Sequence, residues 1–76
     1  MFTVAINIQT ESRKFSITVR DVNRSQDFAY LTPTTIYNKK TNTQYAVLFT
    51  SDDEAAARSF STVMQAAYAL NSYKKV

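Results

Sequence analysis

One stretch decides the fold of this chain: residues 51–73, which read SDDEAAARSFSTVMQAAYALNSY. Ser51 followed three residues later by Glu54 predicts a capping box. In this motif each side chain accepts a hydrogen bond from a backbone N–H group that the start of a helix leaves unpaired. Asp52 and Asp53 add negative charge at the positive end of the helix dipole. We therefore expect a long amphipathic helix that begins at Ser51.

The apolar residues of this helix fall on one side. They recur at spacings of three and four, which is the period of a helix that buries one face. The stripe consists of Ala56, Phe60, Val63, Met64, Ala67 and Leu70. Lys74 and Lys75 follow at the C-terminal end, where the helix dipole favours cations. Because a stripe of this width must be covered, we expect the preceding residues to form a sheet against it.

Two segments near the start of the chain alternate apolar and polar residues, which is typical of β-strands with one buried face. The apolar positions are Phe2, Val4, Ile6 and Ile8 in the first segment and Phe15, Ile17 and Val19 in the second. The polar residues 9–14, QTESRK, separate the two segments. This pattern predicts an antiparallel hairpin.

The remaining residues before the helix predict two further strands. The signal is irregular between residues 27 and 37, because Pro33 cannot donate a hydrogen bond to a sheet. A turn with two lysines at residues 38–44 then leads to YAVLFT, residues 45–50, which is apolar on both faces. The helix can cover only one face of the sheet. The second apolar row of this strand must therefore pack under the Pro33 loop or against another copy of the chain.

Together these elements predict one α+β domain, residues 1–76, in which a four-stranded antiparallel meander packs one face against a C-terminal helix (β-β-β-β-α). The predicted core consists of Val4, Ile6, Phe15, Ile17 and Val19 on the sheet and of Phe60, Val63, Ala67 and Leu70 on the helix. A chain of 76 residues buries only a small core, and its last strand is apolar on both faces. Both features predict a homodimer.

The composition excludes several kinds of site. The chain has no cysteine and no histidine, so disulfides, thiolate chemistry and the commonest transition-metal ligands are excluded. It has no glycine, which excludes a phosphate-cradling glycine loop. Residues 1–20 lack the pattern of a signal peptide, and no apolar run approaches the ~18 residues that a membrane span needs. We expect a cytoplasmic protein that does not span a membrane.

The sequence offers no catalytic constellation. Nucleophiles and acids are scattered, and no histidine is present to act as a base, so we expect no enzyme and no cofactor. The acidic run Asp52, Asp53 and Glu54 lacks the spaced oxygen ligands of a calcium loop. We interpret it as the start of a helix and assign no metal to it.

The net charge of +3 comes entirely from residues 1–50, because the charges of the helical half cancel. On the sheet face opposite the helix, basic side chains and tyrosine rings could follow a single strand of nucleic acid, since cations contact phosphates and aromatic rings stack on bases. The candidate residues are Lys14, Arg20, Arg24, Tyr37, Lys39 and Lys40. The leading hypothesis is a small non-enzymatic protein that binds single-stranded nucleic acid.

The alternative hypothesis is a protein-binding module or an inhibitor of a partner protein, of the kind that compact viral or mobile-element genes encode. An exposed apolar patch around Tyr45 and Phe49 would favour this alternative. A cluster of Lys14, Arg20 and the lysine turn around an exposed tyrosine would favour nucleic acid.

Two resemblances accompany these hypotheses. The order of four strands followed by one long helix is similar to that of the positive-cofactor and Pur-type single-strand-binding modules, which work as dimers. Residues 45–60, YAVLFTSDDEAAARSF, resemble the final strand and capped helix of pleckstrin-homology-type domains. Neither resemblance assigns a functional residue to this chain.

Overall fold

The computed structural model describes all 76 residues as an α+β structure of six strands and one α-helix. In chain order the elements are β1 (Phe2–Gln9), β2 (Lys14–Arg20), a short 3-10 helix (Val22–Arg24), β3 (Phe28–Thr32), β4 (Thr35–Asn38), β5 (Gln44–Ser51), α1 (Glu54–Leu70) and β6 (Lys74–Lys75). The α+β class and the β1–β2 hairpin are confirmed. The helix is neither long enough nor apolar enough to cross a bilayer.

The sheet differs from the predicted meander in its number of strands and in its order. Its six strands lie in the order β3-β4-β5-β1-β2-β6, so β1 sits at the centre between β5 and β2. The irregular segment around Pro33 is two strands rather than one, because Pro33 and Thr34 form a turn that pairs β3 with β4. The order of four strands on which the similarity to positive-cofactor and Pur-type modules depended is therefore not the order of this chain.

The sheet is curled, so that β3 at one edge faces β1 and β2 across an interior. The Tyr30 hydroxyl of β3 lies 2.6 Å from the Thr3 hydroxyl of β1, and the Arg20 guanidinium of β2 lies 5.2 Å from the centre of the Phe28 ring of β3. A buried cluster fills this interior: Ala5, Val22, Phe28 and Ile36, with Tyr45 and Val47 packed against it. The face expected to carry function is thus largely occupied by a second core.

The opposite face of the sheet packs against α1 through two aromatic stacks. Phe15 of β2 lies 5.4 Å from Tyr68, and Phe49 of β5 lies 4.6 Å from Phe60, measured between ring centres. Val4 is paired in register with Phe49 and is fully buried. The predicted contribution of Val4, Ile6 and Phe15 to the core beneath the helix is confirmed by their burial.

A bulge in β5 explains how both apolar faces of this strand are covered within one chain. Val4 pairs with Phe49 but Ala5 pairs with Val47, which leaves Leu48 as the extra residue. Phe49 therefore faces the helix while Val47 faces the interior cluster. Strict alternation would put residues 47 and 49 on one face, and the bulge places them on opposite faces.

The start of α1 differs from the predicted capping box. The N-cap is Asp53, whose carboxylate accepts a hydrogen bond from the Ala55 N–H at 2.9 Å. The Ser51 hydroxyl instead accepts from the Asp53 N–H, and Glu54 pairs with Arg58 at 2.8 Å. Ser51 belongs to β5, so the N-cap lies two residues later than predicted.

The buried side of α1 is rotated relative to the predicted stripe. Ala57 and Ser61 are its two buried residues, whereas Val63 is 65% exposed and Leu70 is 87% exposed. The placement of Val63 and Leu70 in the core was therefore wrong. The helix contains alanines at many positions, so apolar spacing alone defines more than one possible face.

The helix ends at Leu70, and the chain then returns to the sheet. Ser72 has a positive φ of 68°, and Lys74–Lys75 pair in parallel with Lys14–Phe15 as β6. Arg13 holds this segment, because its guanidinium lies 4.4 Å from the centre of the Tyr73 ring. Lys74 and Lys75 are thus strand residues. The prediction that they lie at the C-terminal end of the helix dipole was wrong.

The helix cap can be tested by comparing two neighbouring aspartates. Asp53→Ala should lower the free energy of unfolding by about 1 kcal/mol, because it removes the acceptor for a first-turn N–H group. Asp52→Ala, which removes no hydrogen bond of the structure, should lower it by less than about 0.5 kcal/mol. Urea denaturation followed by circular dichroism measures both values. Equal losses for the two variants would contradict Asp53 as the N-cap.

The rotated helix face makes a second prediction. Phe60→Ala should lower the free energy of unfolding by about 3 kcal/mol, the low end of the range for truncating a core phenylalanine, because Phe60 is only half-buried. Val63→Ala should change it by less than about 0.5 kcal/mol, since Val63 projects into solvent. Denaturation curves of the two variants decide between this face and the predicted one. A larger loss for Val63→Ala would restore the predicted face.

Candidate binding site

A cleft of about 410 Å³ lies along β2, on the side where that strand has little cover. One wall comes from α1 and the other from the interior side of β3, β4 and β5, so the edge of β2 lies between them. The lining residues are Ser16, Ile17, Thr18, Val19, Arg20, Asp27, Phe28, Asn38, Tyr45, Arg58, Ser61 and Gln65. We call this feature the β2 cleft.

Most of the outer edge of β2 has no partner strand. β6 pairs only with Lys14 and Phe15, so the stretch from Ser16 to Arg20 is an open edge. Backbone groups of alternate residues point to the same side of a strand, and the carbonyl of Phe15 accepts a hydrogen bond from Val76 of the C-terminal segment. The backbone N–H and C=O groups of Ile17 and Val19 therefore also point toward this edge.

The interior wall of the β2 cleft is aromatic and carries one cation. The Phe28 and Tyr45 rings lie 5.8 Å apart, and the Arg20 guanidinium lies over Phe28. Arg20 also donates a hydrogen bond to the carbonyl of Val19 at 2.9 Å. An arginine has five N–H donors, so most of those of Arg20 are not used by these contacts.

The helical wall is polar. Gln65 donates a hydrogen bond to the hydroxyl of Ser61 at 3.1 Å, and Ser61 is buried. Arg58 forms a salt bridge with Glu54, one helical turn earlier, through two of its nitrogens. The positive charge on this wall is therefore matched by a carboxylate.

Thr18 is the one side chain of the structure with a buried polar atom that lacks a hydrogen-bond partner. It lies at the middle of the open edge, and only 8% of its surface is exposed. An unsatisfied buried hydroxyl costs free energy, typically about 1–3 kcal/mol. Native structures contain few such groups, so this one calls for an explanation.

Of the two cations that line the β2 cleft, Arg20 and Arg58, only Arg20 has no carboxylate partner. Arg58 is paired with Glu54, and Lys40 is paired with Asp27 at 3.3 Å. Arg20 forms no salt bridge, and its charge faces only the Phe28 ring and a backbone carbonyl. The β2 cleft thus has one positive charge that is not neutralised.

The structure brings together only part of the predicted site. Arg20 lines the β2 cleft. Asp27 of its wall accepts a hydrogen bond from the Lys39 N–H through its backbone carbonyl, and its carboxylate forms a salt bridge with Lys40. The predicted residues Arg20, Lys39 and Lys40 therefore lie at the same end of the sheet. Arg24 follows in the 3-10 helix, where it pairs with Asp21 at 3.7 Å.

Two of the predicted residues lie elsewhere. Lys14 is at the other end of β2, about 20 Å along the strand from Arg20 at ~3.3 Å per residue. Tyr37 neighbours Ile36, which is part of the interior cluster, so the Tyr37 side chain points to the opposite face of β4. The six residues do not form one continuous surface.

Several residues of the β2 cleft were not singled out from the sequence: Thr18, Asp27, Phe28, Asn38, Arg58, Ser61 and Gln65. In the sequence, Ser16 and Thr18 alternate with apolar residues. This pattern indicates a row of polar side chains that faces solvent. Only the curl of the sheet brings β3 and the helix to the two sides of this row. No group of three acidic side chains converges anywhere in the structure.

Comparisons with protein-family models, with curated proteins and with solved structures returned no match to this chain.

The orphaned hydroxyl of Thr18 can be tested by an isosteric change. Thr18→Val keeps the branched shape that suits a strand but removes the unsatisfied polar atom. We expect the free energy of unfolding to rise by about 1 kcal/mol, because the cost of burying an unpaired hydroxyl disappears. Thr62→Val is the matched control, since its hydroxyl donates to the Arg58 carbonyl on the exposed side of α1. A loss of stability for Thr18→Val would mean that this hydroxyl has a partner in solution.

Proposed function

We propose that this chain is a small non-enzymatic protein-binding module that takes an extended segment of a partner protein as an added strand on β2. The single observation that carries the proposal is the open edge of β2 inside a cleft. Strand addition is a general mode of peptide recognition, in which backbone hydrogen bonds supply affinity and flanking pockets read alternate side chains.

The geometry of the β2 cleft supports this mode in two ways. Ile17 offers a backbone donor and acceptor, and Val19 a donor, in the spacing that a new strand would match, while the Val19 carbonyl already accepts from Arg20. The two walls lie on opposite sides of the edge, so successive side chains of the bound segment would contact the helix and the interior wall in turn. A volume of about 410 Å³ suits a short extended segment.

Single-stranded nucleic acid, the leading hypothesis from the sequence, is the second candidate. It is favoured by one observation, the gathering of Arg20, Lys39 and Lys40 at the same end of the sheet. Against it stands the position of Tyr37 on the other face, which leaves no exposed stacking ring beside these cations other than the half-buried Tyr45. The basic group supplies few phosphate contacts without such a platform.

The predicted homodimer stays a proposal. The doubly apolar β5, which suggested it, is covered on both faces within one chain by the helix and by the interior cluster. Exposed apolar surface remains at Val63 and Leu70 of α1. Sedimentation at high micromolar concentration measures the state directly.

Strand addition can be tested by selecting a phage-displayed library of random twelve-residue peptides on the protein. The enriched peptides are then titrated into the ¹⁵N-labelled chain. We expect shift changes along Ser16–Arg20 and slowed hydrogen exchange at the Ile17 and Val19 amides, because these N–H groups would gain partners. Shift changes confined to other elements would contradict the site.

Two variants sharpen this experiment. Val19→Pro removes an outward N–H group without removing a bond to β1, so it should abolish peptide binding while circular dichroism stays unchanged. Tyr37→Ala, on the other face, should leave peptide binding intact. If Val19→Pro does not fold, hydrogen exchange at the Ile17 and Val19 amides of the unmodified chain tests strand addition instead.

A titration with oligothymidylate at low salt tests the second candidate in parallel. Nucleic acid would be favoured if log affinity fell with log salt concentration by about 0.7 per neutralised phosphate. This slope should then flatten in Lys39→Ala/Lys40→Ala. We expect no such binding.

A further inference from the structure

We infer that the segment bound in the β2 cleft presents an acidic side chain to Arg20, so that the module is selective for acidic extended peptides. This inference rests on the proposed strand addition at β2 and adds the chemistry that the site selects. It follows from three features: the face on which Arg20 lies, the pairing of the neighbouring charges, and the orphaned hydroxyl of Thr18.

The side-chain direction comes from the sheet register. Thr18 pairs with Ala5, an interior residue, and Arg20 pairs with Thr3, whose hydroxyl meets Tyr30 across the interior. Thr18 and Arg20 thus point to the interior side of the sheet. On an added strand, every second side chain would point to the same side, beside Thr18 and Arg20. The intervening side chains would face Ser61 and Gln65 of the helix.

The charges select a carboxylate among the side chains that could occupy this position. Of the two arginines that line the cleft, Arg20 has no carboxylate partner, whereas Arg58 is paired with Glu54. The guanidinium lies 5.2 Å from the centre of the Phe28 ring, and this cation–π contact favours its position in the cleft. An arginine held in this way suits bidentate contact with a carboxylate, and a charge-assisted hydrogen bond is stronger than a neutral one.

Thr18 supplies a second donor on the same face, two residues before Arg20. Its hydroxyl has no partner in the free chain and is closed off from solvent. In the bound state, a rotation about χ1 that turned the hydroxyl toward the cleft would let it donate to the same carboxylate. Binding then relieves an unsatisfied group as well as an unpaired charge.

A second copy of the chain suits the open edge less well than a peptide does. The edge of β2 lies between the helical wall and the interior wall, and an identical edge on another copy lies between identical walls. Two such edges would bring their walls into contact before their backbones could pair. A lone extended segment has no walls of its own, so we assign the β2 cleft to an acidic peptide.

The test uses two capped seven-residue peptides of alternating threonine and valine, one with glutamate and one with glutamine at the centre. Each is titrated to millimolar concentration into the ¹⁵N-labelled full chain. We expect the glutamate peptide to bind about tenfold more tightly, which is the effect of one charge-assisted hydrogen bond. The difference should shrink as salt is raised, because it depends on an exposed charge pair.

Two arginine variants serve as a matched pair. Arg20→Gln should remove the preference for glutamate, while Arg24→Gln, which changes a paired arginine outside the cleft, should keep it. Thr18→Val should reduce the preference by about threefold, since it removes one hydroxyl donor to the carboxylate and keeps the shape of the cleft. Each variant is checked for folding by its amide spectrum.

The outcomes separate this inference from the proposed function. If both peptides shift Ser16–Arg20 equally, strand addition stands and acidic selectivity is overturned. If the preference survives Arg20→Gln or disappears in Arg24→Gln, Arg20 is not the residue that binds the acid and the inference is overturned. If neither peptide shifts β2, both the inference and the proposed function fail. Oligothymidylate that binds and loses affinity in Arg20→Gln would assign the cation to phosphate instead.

Discussion

The packing of Phe28 inside the curled sheet is the contact on which the rest of the structure depends. One helix can cover only one face of a sheet, so a chain of this size needs another way to bury the second face. Here the sheet covers itself, because the Phe28 ring contacts Tyr45 on β5 and lies beneath Arg20 on β2. The Thr3–Tyr30 contact joins β1 to β3 in the same manner. Two cores result, one on each side of β1.

The β2 cleft exists because the curled sheet does not close completely. A sheet that closes fully has no edges, whereas here β6 covers only the first two residues of β2 and no strand joins β2 to β3. The gap therefore lies where the two cores approach each other, with the helix on one side and Phe28 on the other. The aromatic contact that stabilises the interior also places Arg20, so fold and candidate site share a residue.

The sequence predicted the elements with strong periodicity and missed those that depend on contacts across the chain. The β1–β2 hairpin has the predicted bounds, since strict alternation and a polar turn are local signals. The helix cap and its buried face were wrong, because an acidic run offers several caps and alanines allow several faces. Of the candidate site, Arg20 was named, but Thr18 and the helical wall depend on a curl that no local pattern encodes.

The open edge of β2 also exposes the chain to uncontrolled growth of β-structure. Unpaired backbone groups on an edge strand can template the addition of further molecules, which is how ordered aggregates begin. The sequence of β2, KFSITVR, places a charged residue at each end of an aggregation-prone hydrophobic and hydroxylated centre. Lys14 and Arg20 therefore act as gatekeepers, since stacking identical strands would bring like charges together. The same arginine that would admit an acidic segment repels a copy of its own strand.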